Sequence, residues 1–97
     1  MTSSEISSNY LSNVPEERRF WCRDGNILNN LEELRSALKN MSNETYIWHV
    51  NSERNDFSNW INDIIGDSEL ARSIGKSKTK TEMARKLSMR IKELRSA

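Results

Sequence analysis

Phe57, Trp60, Ile61, Ile64 and Ile65 stand at i, i+3, i+4, i+7 and i+8 of one short run. On a helix that spacing makes a continuous apolar stripe, which a soluble chain must bury against other apolar elements. Asn55 or Asp56 ahead of the stripe can supply the oxygen that caps the first free amides. Gly66 behind it can take the left-handed turn that ends a helix. The run is therefore a core element.

The remaining elements are read around it. Arg19-Phe20-Trp21-Cys22-Arg23 is short and rich in β-favouring side chains, and Asp24-Gly25 follows it. Asp-Gly between two such runs signals a two-residue hairpin turn, with Asn26-Ile27-Leu28 as the return arm. Asn30, with Glu33 three residues on, reads as a capping box for a helix carrying Leu31, Leu34, Leu38 and Met41. Ser42 or Asn43 restarts a short helix from Glu44 to about Asn51, with Tyr46, Ile47 and Val50 expected to face inward. Asp67 caps a fourth, which carries Leu70, Ala71 and Ile74. Thr79-Lys80-Thr81-Glu82 opens the last, with Met83, Leu87, Ile91 and Leu94 on one face.

These spacings predict a mainly α fold: a compact irregular bundle of about five short helices with a minor N-terminal β-hairpin or extended segment. Residues 1–18, polar and without an apolar period, read as a flexible leader, and residues 19–97 as a single helical domain. Ninety-seven residues suffice for one modest core. No run reaches the length of about 18 apolar residues needed to span a bilayer, so no membrane role is expected. The opening segment has neither the basic end nor the apolar centre of a signal peptide. A lone Cys22 suits a reducing compartment, and a cytoplasmic setting is expected. Asn40-Met41-Ser42 and Asn43-Glu44-Thr45 match the glycosylation acceptor pattern, which in so Asn- and Ser-rich a chain is coincidence.

Several blocks resemble a small prokaryotic, largely archaeal domain family of unknown function. Residues 20–25, Leu31-Glu32-Glu33-Leu34 with Leu38, and Met41-Ser42-Asn43-Glu44 are similar to its first half. His49-Val50, Asn55-Asp56-Phe57, Trp60-Ile61, Asp63, Gly66-Asp67 and Leu70-Ala71 are similar to its second. The resemblance covers roughly residues 20–95 and makes His49, Asn55, Asp56, Phe57, Trp60 and Ile61 its structural signature. It implies a fold unit and a cytoplasmic setting, and no reaction.

Little in the chain points to catalysis. His49 with Asp56 or Glu53 has the parts of a general base and its orienting carboxylate. It equally has the parts of a buried imidazole bracing a turn between two helices, and no nucleophile signature accompanies it. Cys22 with His49 as base is a weak thiol-enzyme pattern, since a cysteine in an apolar run normally packs as a small hydrophobe. One His and one Cys fall short of the three or four ligands of a metal site. No glycine-rich phosphate loop is present either. No catalytic residue, metal or cofactor is expected.

Charge is the better pointer. Residues 1–71 carry six Lys/Arg against twelve Asp/Glu, whereas residues 72–97 carry nine against two. The basic groups Lys76, Lys78, Lys80, Arg85, Lys86, Arg90 and Lys92 could line up on phosphates, or could be a solvated face beside an acidic body. Trp48 lies away from the Tyr46/Val50 edge of its helix and is the candidate exposed anchor. The leading reading is a non-catalytic module that binds a protein partner, a second copy of itself included. The alternative is a nucleic-acid-associated protein acting through the basic C-terminal helix.

Overall fold

The chain begins with a helix that the polarity of its first residues hides. The computed structural model describes residues 3–96, and Ser3–Leu11 form helix α1. It packs on the C-terminal helix and on the helix that follows the hairpin. Ser7 is buried, and Tyr10, Leu11 and Val14 pack against the core. No regular element was expected over residues 1–18, of which residues 1 and 2 lie outside the described residues. The reason is physical: α1 has too few apolar residues to show a period, and its order comes from the surface it docks on. A 3-10 turn, Glu16–Arg18, then leads into the hairpin.

Strands β1 (Phe20–Trp21) and β2 (Ile27–Leu28) pair antiparallel, Phe20 opposite Leu28 and Trp21 opposite Ile27. The Cys22 amide donates to Asn26 O at 2.8 Å, which leaves three residues, 23–25, in the loop. Gly25 has φ +96°, while no residue other than glycine has a positive φ among the described residues. The loop is thus a turn followed by a left-handed glycine, not the two-residue Asp-Gly turn expected, because Asp24 keeps a negative φ. The Asp24 carboxylate accepts the Asn26 amide at 3.0 Å and stiffens the tip.

Helix α2 (Leu31–Asn40) is capped by Asn30, whose Oδ1 accepts the Glu33 amide at 2.9 Å. Glu33 reaches back one residue further than a standard capping box, accepting both nitrogens of Asn29. Helix α3 (Asn43–His49) is capped by Ser42. It ends earlier than expected, and Ile47 is 62% exposed where an inward position was predicted. Tyr46 and His49, three apart, take the inner face of so short a helix, which turns Ile47 and Trp48 outward.

Helix α4 (Asp56–Trp60) begins at the Asn55 cap and runs straight into a π-turn, Ile61–Ile65. Gly66, at φ +93°, closes it by donating to Ile61 O five residues back, at 2.7 Å. The wider turn breaks the predicted stripe. Phe57, Trp60 and Ile61 are buried, while Ile64 and Ile65 are rotated to a half-buried rim. Helix α5 (Ser68–Gly75) and the long α6 (Lys80–Ser96) complete an irregular, mainly α bundle, with six helices and one small hairpin among the described residues.

Leu31, Leu34 and Leu38 of α2, Phe57 and Ile61, Ile74 of α5, and Met83 and Leu87 of α6 form the fully buried centre. Helices α2 and α6 are antiparallel. Lys80 at the start of α6 donates to Met41 O just past the end of α2, at 2.5 Å, and Arg95 near the end of α6 pairs with Glu32 in the first turn of α2. Asp67 joins α5 to α6. Its Oδ1 caps the Leu70 amide at 3.1 Å, and both its oxygens accept from Arg90, at 2.7 and 3.1 Å. That buried pair raises the Arg90 guanidinium above its ordinary pKa.

Replacing Asp67 removes a cap and leaves a half-buried guanidinium with only the longer, exposed contact to Glu69. Asp67→Ala is expected to cost about 3 kcal/mol of unfolding free energy by urea titration. Asp67→Asn, which keeps an oxygen for the Leu70 amide, should cost clearly less.

Candidate functional site

A face that carries exposed aromatic and guanidinium groups is assembled from the hairpin tip, the end of α3 and the tight turn into α4. That turn is held by backbone contacts: Val50 and Asn55 form an isolated antiparallel bridge, and the Asn51 amide donates to Arg54 O at 2.9 Å. The Asn51 side chain accepts the amides of Glu53 and Arg54. The turn delivers Arg54 beneath the end of α3, where its guanidinium donates to Trp48 O at 2.6 Å.

His49 is the pivot of this face. It is only 2% exposed, wedged between Phe20, Phe57 and Trp48, with ring centroids 5.0 to 5.2 Å away. Its Nε2 accepts the Arg23 backbone amide at 3.0 Å, and its Nδ1 lies 2.9 Å from Asp56 Oδ2. An amide can only donate, so Nε2 carries no hydrogen and the Nδ1–H donates to Asp56. Asp56 in turn sits 3.5 Å from the Arg54 guanidinium.

The carboxylate–imidazole pair of a general base is therefore present in outline. The nitrogen that such a base would offer to substrate is taken up by the hairpin backbone. Cys22 is buried one residue away from that amide, and no hydrogen bond joins it to His49 among the described residues. Burial first, and then the neighbouring Asp24 side chain, push the Cys22 thiol above its ordinary pKa, away from the reactive thiolate.

Trp48 stands outside this pivot, 44% exposed. The guanidinium carbons of Arg23 and Arg54 lie 4.9 and 4.7 Å from its ring. Each such contact contributes roughly 0.5–1 kcal/mol at an exposed site and holds the indole in one orientation. Burial alternates along the first arm of the hairpin: Phe20 and Cys22 are turned to the core, Trp21 and Arg23 to solvent. Trp21, 68% exposed, thus shares the outward side of Arg23. Ile47, next to Trp48 on α3, adds a further exposed apolar side chain.

Of the residues that sequence reasoning singled out, His49, Asn55, Asp56, Phe57, Trp60 and Ile61 come together as scaffold around the α3–α4 turn. Asn55 caps α4 through the Ser58 amide, and Trp60 Nε1 ties the leader to the core by donating to Arg18 O at 2.9 Å. Of the seven basic candidates, three are engaged within the chain. Arg90 is held by Asp67, with Glu69 at 3.8 Å. Lys86 pairs with Glu82 and donates to Ser73 O. Lys80 donates to Met41 O. Lys76, Lys78, Arg85 and Lys92 have no ion-pair partner among the described residues. Arg23 and Arg54, which frame Trp48, were not foreseen. No period links them to it, although outward alternation along residues 20–23 would have pointed to Trp21 and Arg23.

Among the described residues no group of three or more His, Cys, Asp or Glu is placed to hold a metal ion. No helix there is long and apolar enough to cross a membrane. Residues 16–95 match the family of unknown function DUF5752, and the chain belongs to it. No curated protein and no solved structure matches the chain.

The site region carries a pH dependence of definite sign. Burial raises the pKa values of both the Cys22 thiol and the Tyr46 phenol above their ordinary values. The folded chain thus keeps these protons longer than the unfolded one does. Their contribution to stability is complete at neutral pH and is lost as pH rises through the alkaline range. The urea midpoint should fall between pH 7.5 and 10.5, and the double variant Cys22→Ala/Tyr46→Phe should flatten that fall.

Proposed function

We propose that this chain is a non-catalytic interaction module. Its contact face is centred on Trp48, with Arg23, Arg54, Trp21 and Ile47 around it. The observation that carries the reading is the exposed indole held against two guanidinium groups. Such a ring has already lost the freedom that binding would otherwise remove. Tryptophan and arginine are also the residues on which interface energies concentrate.

The occupant of this face is a protein segment that lays an apolar or aromatic side chain on Trp48. A carboxylate or backbone carbonyl from the same segment would meet the free donors of Arg23. A second copy of the chain is one such partner. The cytoplasmic setting expected from the lone cysteine is compatible with this role. The nucleic-acid alternative has less behind it, because Lys86 and Arg90 are each paired with a carboxylate within the chain.

Sedimentation of the pure protein and affinity capture from lysate of the source cells test the reading when run side by side with Trp48→Ala. Trp48 is half-exposed and its ring meets two guanidinium groups and the edge of His49, so this variant should stay folded and lose no more than about 2 kcal/mol of stability. Its loss of at least roughly 2 kcal/mol in self-association or in affinity for a captured partner, about thirtyfold in Kd, is the expected result. A wild-type chain that is monomeric and captures only what Trp48→Ala captures would overturn the reading. Tight low-salt binding to a short RNA or DNA duplex, falling steeply with added salt, would transfer the function to the basic groups.

A further inference from the structure

A second surface, remote in sequence from the Trp48 face, has the chemistry of a small-ligand site. Where the end of α2 meets the start of α6, the two helices leave a cleft of 340 Å³. Leu38 and Ala84, both buried, form its floor, and the cations Lys39, Lys80 and Arg85 stand around it. Thr81 and Ser88 add two hydroxyls, and no carboxylate lines the space. The antiparallel pairing of α2 with α6 creates this arrangement. It brings Lys39 beside residues 80–88, which lie more than forty positions away in the chain.

We propose that this cleft binds a small phosphate monoester with a compact apolar or planar body, of the size of a nucleoside monophosphate. Three separate cations and two hydroxyls suit a dianion with several acceptor oxygens better than they suit a carboxylate. Arg85 offers a planar fork of donors. Lys80 spends one of its three N–H groups on Met41 O and keeps the others. The positive end of the seventeen-residue helix α6 lies at the same place and adds to the field. The volume is at the lower end of ligand pockets and exceeds what bare phosphate needs, and the Leu38–Ala84 floor gives the remainder an apolar surface to lie on.

The test is a chemical-shift titration of the full chain with AMP, phenyl phosphate, inorganic phosphate and adenosine at one fixed physiological salt concentration. AMP and phenyl phosphate should saturate, with the shifts confined to the amides of residues 38–39 and 80–88. Inorganic phosphate and adenosine should each bind at least about tenfold more weakly. Lys39→Gln/Arg85→Gln alters two exposed side chains and leaves the Lys80–Met41 tie intact, so it should fold normally and lose about tenfold in affinity for AMP. Any of three results would overturn the proposal: no saturable shift, inorganic phosphate binding as tightly as AMP, or shifts spread over Lys76, Lys78 and Lys92 and unaltered in the double variant. None of these outcomes bears on the Trp48 face, since no residue is shared.

Discussion

The two hydrogen bonds of the His49 ring are the constraint on which the candidate face depends. An imidazole enclosed by Phe20, Phe57 and Trp48 would be costly with either nitrogen unsatisfied. Here each nitrogen has one partner, from a different element: the Arg23 amide of the hairpin tip and the Asp56 carboxylate at the start of α4. A hairpin of two residue pairs has little stability of its own. Its tip is set by the Nε2 bond, and that bond in turn places the Arg23 guanidinium over Trp48. Asp56 also faces Arg54, so one buried ring orients both arginines that contact the indole.

A second constraint governs the charge. The chain divides into an acidic part and a basic part, and folding brings selected members of the two together. Asp67 and Glu69 meet Arg90, and Glu32 meets Arg95. Asp67 is the most consequential of these, since one buried carboxylate both starts α5 and anchors the middle of α6. What remains unpaired is not the whole basic run but a subset, and Lys39 joins it from a different helix. The basic character of residues 72–97 thus becomes internal adhesion at Arg90 and Arg95 and an open cationic cleft around Arg85.

The helices were legible because their signals are local. Asn30, Ser42, Asn55, Asp67 and Thr79 each cap the amide two or three residues ahead, as their side-chain chemistry suggested. Helix α1 was hidden, since Ser7 is buried by its neighbours and not by its own polarity. The π-turn at Ile61–Ile65 was hidden too. It preserves the i, i+3, i+4 spacing in the chain while changing which of those side chains reach the core. Ile47 was misplaced for a related reason: in a helix of two turns, the choice of inner face belongs to the elements packed on it.

The sequence alone determined the five helices and the hairpin after residue 18, most of the apolar positions that make the core, and the membership of His49 and Asp56 in one turn. These follow from periodicity and capping, which act within a few residues. Tertiary structure alone decided that the free nitrogen of His49 would be spent on Arg23, that Trp48 would meet two arginines, and that Lys39 would stand beside Arg85. Each of those contacts joins residues from separate elements. Their meeting is set by how the helices pack and not by any spacing along the chain.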